Sequence, residues 1–253
     1  MIKTIYANGC SWTAGNGIEQ DPLFQAAAKK PFSQVRAELG STICEHAWPA
    51  HLAKILQVDN VVNEALGGGS NARAFRTTLN HVSRLSLIER RETLVVIGWT
   101  TIERGEIYIP DKNLGGWYRF NVVPPFDDYL RDFPSERVRA LNKYHELFVT
   151  ELYDDAPANE AFFNQVFALG NALENLEVPY LFFSSLNLGL RQPARPLPEA
   201  ANELNLIDIS FSFERFVRER NLPMSTCIHP LVESHTAWAD HLALEIHQRG
   251  ILS

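Results

Sequence analysis

The sequence predicts a doubly wound α/β fold, and three observations carry that prediction. Thr93–Trp99 and residues 179–185 are apolar runs of strand length, of the kind buried on both faces of a parallel sheet. Segments with a helical period alternate with the strand-like ones. The first two strands run into Gly9-Cys10-Ser11 and Gly67-Gly68-Gly69-Ser70-Asn71. Open α/β sheets hold their ligands beyond such strand ends.

The elements follow in order. Ile2, Ile5 and Ala7 lie in a first strand that Asn8-Gly9 ends. With a helix starting near Trp12, Ser11 is either its cap or a reactive hydroxyl beside free N–H groups that favour negative charge. Residues 16–43 lack a clear period and form an excursion placed to act as a lid or pocket wall. Residues 46–56 read as a helix, with Pro49 in its first turn and Trp48, Leu52, Ile55 and Leu56 at helical spacing. Residues 58–66 give a second strand, and 72–87 a helix capped by Ser70 or Asn71.

Gly67, Gly69 and Ala72 match the GxGxxA form of a dinucleotide fingerprint, but they follow the second strand, and no acidic residue ends the next one. The Gly-Lys-Ser/Thr of a P-loop is absent. This stretch is either a plain tight turn or a backbone N–H offered to an anion. Residues 105–134 read as a β-hairpin or ordered loop insertion, 135–152 and 160–176 as helices, and 179–185 as the fourth strand. A Pro/Arg-rich loop covers 186–203. Residues 204–220 are strand-like around 207–209 and helical from Phe213, and 236–249 form the closing helix. No repeat or linker divides the chain, so residues 1–253 are expected to form one domain with insertions at 16–43 and 105–134.

Composition narrows the function classes. The 253 residues are 45% hydrophobic and 21% charged, ordinary for a globular protein, and the net charge is -7. An acidic chain without clustered Lys and Arg argues against a nucleic-acid partner. No apolar run approaches the ~18 residues of a membrane span, and no basic-then-apolar leader precedes the first strand. Cys10, Cys44 and Cys227 are odd in number and lack a CxxC pair, so neither a disulfide framework nor a structural zinc site is expected, and a reducing cytoplasm fits.

Four groups then stand on the sheet's expected carboxyl edge: Ser11, the Gly67–Asn71 turn, Thr100 and His229. In this order the chain resembles the SGNH (GDSL-like) hydrolase family. Gly9-Cys10-Ser11 with Thr13-Ala14-Gly15 is similar to its first block, residues 63–68 to its second, Gly98-Trp99-Thr100-Thr101 to its third, and His229-Pro230 with His235 to its last. Gly9-Cys10-Ser11-Trp12-Thr13 does not fit the Gly-x-Ser-x-Gly elbow of α/β-hydrolases. The resemblance implies a three-layer α/β/α sandwich with a mostly parallel, flavodoxin-like sheet. It implies Ser11 as nucleophile and His229 as its base. It also implies an oxyanion hole from the backbone N–H groups of Ser11 and Gly68, with Thr100 or Asn71 as further donors. No metal or organic cofactor is implied.

Three departures bear on activity. Cys10 replaces the usual aspartate beside the nucleophile, Thr100 the usual asparagine, and Thr226 the aspartate three residues before the histidine. Without that last carboxylate the imidazole needs another partner, such as a backbone carbonyl. Trp12 and Trp99 are candidates to line a substrate pocket or to pack in the core. Glu103 and Arg104 are expected to pair, or Arg104 to bind a substrate carboxylate. His235 is expected to pack against or cap the last helix. Cys10, Cys227 and His229 form a conceivable redox or metal trio, with buried thiols the plainer reading.

The leading expectation is an esterase acting on O-acyl groups of a carbohydrate or small metabolite. The alternatives are a catalytically impaired ligand- or protein-binding module on the same fold, and an acyltransferase. Oligomeric state is not legible.

Overall fold

The computed structural model describes residues 1–20, 45–109, 116–121, 135–187 and 203–252. The rest of the 16–43 excursion, part of the 105–134 insertion and most of the Pro/Arg-rich loop lie outside the described residues. The strands in chain order are β1 (Thr4–Gly9), β2 (Asn60–Asn63), β3 (Thr93–Trp99), β4 (Arg104–Ile109), β5 (Gly116–Asn121) and β6 (Tyr180–Ser184). The helices are α1 (Ser11–Ala14), α2 (Trp48–Leu56), α3 (Asn71–Val82), α4 (Leu87–Arg91), α5 (Ser135–Leu147), α6 (Asp155–Asn175), α7 (Phe213–Glu219) and α8 (Val232–Gln248).

Four strands form a sheet in the order β2-β1-β3-β6, with every pairing parallel. This is the doubly wound order of flavodoxin-like sheets. Leu206 extends it by one parallel bridge to Phe182, at the start of the stretch read as weakly strand-like. β4 and β5 pair antiparallel as a separate hairpin, so the hairpin reading of that insertion holds for its described part.

The period of two along each strand sorts side chains to two cores. Ile5, Ala7, Leu94, Val96, Leu181 and Phe183 face Trp48 and Leu52 of α2, Phe213 and Phe216 of α7, and Trp238 and Leu242 of α8. Tyr6, Val95, Ile97, Trp99 and Phe182 face Ala74 of α3 and Phe162, Val166 and Leu169 of α6. The result is three layers, helices–sheet–helices. Every residue of β3 is buried, and each large apolar side chain so placed contributes about 1.5–3 kcal/mol.

Some boundaries differ for local reasons. β2 is a short edge strand with its first two residues exposed, so its pattern carries little burial signal. The helix expected over 72–87 stops at Val82, because Ser86 and Glu89 build a capping box that starts α4. α6 begins earlier than expected, at Asp155, where Asp154 accepts the Ala156 N–H. α5 ends in a π-helical turn, Phe148–Leu152. No helix among the described residues is long and apolar enough to cross a membrane.

Candidate active site

The ends of β1 and β3 create the space for Ser11. Gly9 and Gly98 are register partners, and a Cβ on either would come within 2.7 or 2.8 Å of Thr13 Oγ1. Glycine at both positions lets the single turn of α1 settle onto the strand ends. Cys10 occupies the N-cap and Ser11 the first helical position, so Ser11 is not the cap. Thr13 and Ala14 N–H groups donate to Cys10 O at 3.0 Å, and the leading N–H groups of Ser11 and Trp12 have no intrahelical acceptor, as at any helix start. Ser11 is 6% exposed.

The glycine turn is folded against this corner. Leu66 N donates to Gly9 O at 3.2 Å and Gly69 N to Leu66 O at 2.7 Å. A Cβ on Gly69 would lie 3.0 Å from Gly9 O, and one on Gly67 2.8 Å from Asn16 Nδ2. Gly68, between them, takes φ 70°, a left-handed conformation that suits glycine. The turn therefore seats Gly68 beside the α1 segment. Ser70, not Asn71, caps α3, accepting the Arg73 N–H at 3.1 Å. Asn71 exchanges two bonds with the Thr100 backbone, Nδ2 donating to O at 3.0 Å and Oδ1 accepting from N at 2.8 Å. That pair ties the start of α3 to the end of β3. The Thr100 hydroxyl is buried without a hydrogen-bond partner.

His229 is carried on a tight loop between α7 and α8. Ile228 N donates to Ser225 O at 3.0 Å, Ser225 N to His229 O at 2.8 Å, and His229 N to Ser225 Oγ at 3.1 Å. Ile228 has φ 62°, a conformation that a β-branched residue adopts only when its surroundings impose it. His229 Nδ1 lies 2.9 Å from Cys227 O and 3.3 Å from Cys227 Sγ. A backbone carbonyl and a thiol are thus the neighbours of Nδ1. Thr226 is turned away: Gln20 Oε1 accepts from both its N–H, at 3.0 Å, and its hydroxyl, at 2.7 Å.

The first and last segments meet here. The Trp12 and His229 ring centroids are 6.4 Å apart, and a Cβ on Gly17 would strike His229 Cβ at 2.5 Å. The segment that carries Ser11 thus packs against the loop that carries His229. Gly17 also has φ 95°. Gly17→Ala is therefore expected to cost about 1–3 kcal/mol of stability, measured by urea denaturation, because both its backbone and the His229 loop must shift.

The remaining candidates divide. Trp12 is buried, edge-on to Phe213 at 5.2 Å, so it packs in the core while one ring neighbour is His229. Trp99 is fully buried against Phe162 and Phe182, where its place in the β3 alternation puts it under the helices, in the core. Glu103 and Arg104 do not pair. Glu103 lies instead near Tyr153, whose hydroxyl burial, then Asp155, then Glu103 hold above its ordinary range. Arg104 Nε and Nη1 are buried without an acceptor.

His235 packs, as one of its two readings expected, fully buried with its ring 5.6 Å from that of Phe213; the helix it caps is α2 and not the last, its Nδ1 accepting the Trp48 N–H at 3.2 Å. Burial pushes its pKa down to about 3. Cys10 is buried in the core and Cys227 is exposed, and among the described residues no three His, Cys, Asp or Glu are grouped to hold a metal ion.

Residues that sequence reasoning missed hold this site together. Asn8 sits buried beneath the β1 end, donating to Thr77 Oγ1 at 2.8 Å and accepting the Gly9 N–H at 2.8 Å. A polar residue closing an apolar strand was the available signal. For Gln20 and Asn16, which brace the His229 loop and Gly67, the sequence offers none.

No curated protein matches the sequence. Similar solved structures include the psychrotrophic esterase EstA from Pseudoalteromonas sp., in a form inhibited by monoethylphosphonate, at 13% identity over 97% of each chain and TM-score 0.48. The lipase Lip_vut3 from a goat rumen metagenome is 12% identical over 97% of each chain, TM-score 0.45. A GDSL-like lipase from Bacteroides thetaiotaomicron is 11% identical over 98% of this chain and 87% of that one, TM-score 0.35. A model for a family of unknown function, DUF6071, matches residues 36–252, a span that begins after Ser11 and includes Gly68, Asn71, Thr100 and His229, and the chain belongs to that family.

Proposed function

We propose that this chain is a serine hydrolase that cleaves esters through an acyl-enzyme on Ser11, acting on a small-molecule or glycan O-acyl substrate in a reducing cytoplasm. The observation that carries the reading is the 2.9 Å contact between His229 Nδ1 and Cys227 O. A proton on Nδ1 is donated to that carbonyl, which makes Nε2 the basic nitrogen. Nε2 takes the Ser11 proton as Oγ bonds the ester carbonyl carbon. The resulting oxyanion is met by the Ser11 and Gly68 backbone N–H groups, each worth about 3 kcal/mol of barrier. The imidazolium returns the proton to the departing alkoxide as the C–O bond breaks. Water then repeats the sequence, releasing the acid and restoring Ser11. The scheme draws on no metal or organic cofactor. A carbonyl stabilises the imidazolium less than a carboxylate does, so turnover is expected to be slower than with a full triad.

Asn71 favours a second reading, a ligand- or protein-binding module. Both ends of its amide are engaged by the Thr100 backbone, which limits its use as an oxyanion donor. An alcohol replacing water in the second half-reaction would instead make the chain an acyltransferase. A fluorophosphonate probe tests the leading reading. Wild type is expected to be labelled and Ser11→Ala not; labelling that persists in Ser11→Ala, or is absent from wild type, removes it.

A further inference from the structure

Six arginines among the described residues are answered by carboxylates. Arg73 pairs with Glu64, Arg76 with Glu106, Arg91 with Glu177, Arg215 with Glu219, Arg218 with Glu214 and Arg249 with Glu245. Arg104 is different. It is half-buried, and its Nε and Nη1 are closed off from solvent with no acceptor. Covering a guanidinium without a counter-charge or hydrogen bonds is unfavourable. Among the described residues no carboxylate pairs with it, and its sequence neighbour Glu103 lies near Tyr153.

Its place in the fold points to the candidate active site. Arg104 opens β4, four residues after Thr100, whose backbone Asn71 holds at the carboxyl edge. Side chains two apart on a strand share a face. Glu106 reaches Arg76 of α3 through two bonds, at 2.9 and 2.8 Å. Arg104 is thus on the β4 face that meets α3, roughly 7 Å back along the strand toward Thr100. The cavity of about 420 Å³ near Arg91, Glu174, Tyr180 and Arg249 lies at the amino end of β6, and its charges are already paired.

We infer that Arg104 receives a carboxylate of the substrate, so that the ester class acted on carries a free carboxylate beside its acyl linkage. The planar guanidinium matches a carboxylate in geometry and charge. The substrate class rests on the esterase reading; the anion site does not, and two arms separate them.

In the binding arm, thermal unfolding of the full chain is followed in succinate and in phosphate at constant ionic strength. Saturating succinate is expected to raise the Tm of wild type and of Ser11→Ala by about 3 °C or more, and to leave Arg104→Met unchanged. Arg104→Met is itself expected to melt no lower than wild type, because the orphaned cation is gone. No succinate shift in wild type, the same shift in Arg104→Met, or an equal shift with phosphate overturns the carboxylate site.

In the kinetic arm, 4-acetoxybenzoate is compared with its uncharged methyl ester. Arg104→Met is expected to lower kcat/KM at least about 10-fold for the anion and less than about 3-fold for the neutral ester; equal losses overturn the assignment of substrate class. Arg104-dependent succinate binding without hydrolysis of either ester keeps the anion site and removes the esterase reading.

Discussion

Ser11→Ala and His229→Ala are each expected to lower kcat/KM for p-nitrophenyl acetate by at least about 100-fold, and the double variant by no more than the worse single. A nucleophile and the base that activates it act as one unit, so removing the second after the first takes away little more. Initial rates for the four proteins at one pH give the cycle directly. Multiplicative losses would mean that His229 works apart from Ser11, for instance in holding substrate. Equal rates with and without His229 would leave the imidazole a loop residue. The separation of these outcomes relies on a local feature, the Cys227 carbonyl on Nδ1. It orients the ring independently of Ser11, so loss of the serine hydroxyl does not misplace the histidine. A thermal melt of each variant checks this, with the fold expected intact because neither side chain is among the buried core residues around Trp48, Phe213 and Trp238.

How far the sequence could be read depended on whether burial or long-range contact decided the feature. β3 was legible to the residue because both of its faces are buried and its run is unbroken. β2 was not: two of its four residues are exposed, so hydrophobicity could not mark its end. A doubly wound sheet followed from alternation of strand and helix, and with it the expectation that Ser11, Gly68, Thr100 and His229 share its carboxyl edge. The finer site was hidden because its partners are far apart in the chain. Gln20 and Thr226 are 206 residues apart, and Trp48 and His235 are 187. No period or spacing links such pairs. Glu103 and Arg104 misled for the opposite reason. Adjacent charges suggest an ion pair, yet Glu103 belongs to the turn before β4 and lies near Tyr153, while Arg104 opens the strand.

Acid is expected to unfold this protein in a way that His235→Asn blunts. His235 is fully buried and its pKa is lowered to about 3, first by burial and then by the charges of His51 and His229. The unfolded chain keeps the ordinary value near 6.5. Below pH 6.5 the unfolded state therefore takes up a proton that the folded state refuses. Stability from the neutral imidazole is complete above that pH and falls by roughly 1.4 kcal/mol per unit down to about 3. At pH 4.5 the loss is about 3 kcal/mol, a large share of an ordinary domain's stability. His51, His81 and His241 are also lowered, each chiefly by burial, so wild type alone would not isolate the effect. Asparagine keeps an acceptor for the Trp48 N–H that His235 Nδ1 now receives but cannot be protonated. Urea unfolding of both proteins at pH 7.5 and 4.5 gives the difference. Wild type should lose about 3 kcal/mol more than His235→Asn between the two. Parallel losses would mean that His235 takes up its proton while folded, with the N-terminal turn of α2 opening to admit the charge. That opening would loosen the layer on which Phe213 and Trp12 rest, and through Trp12 the ring neighbour of His229.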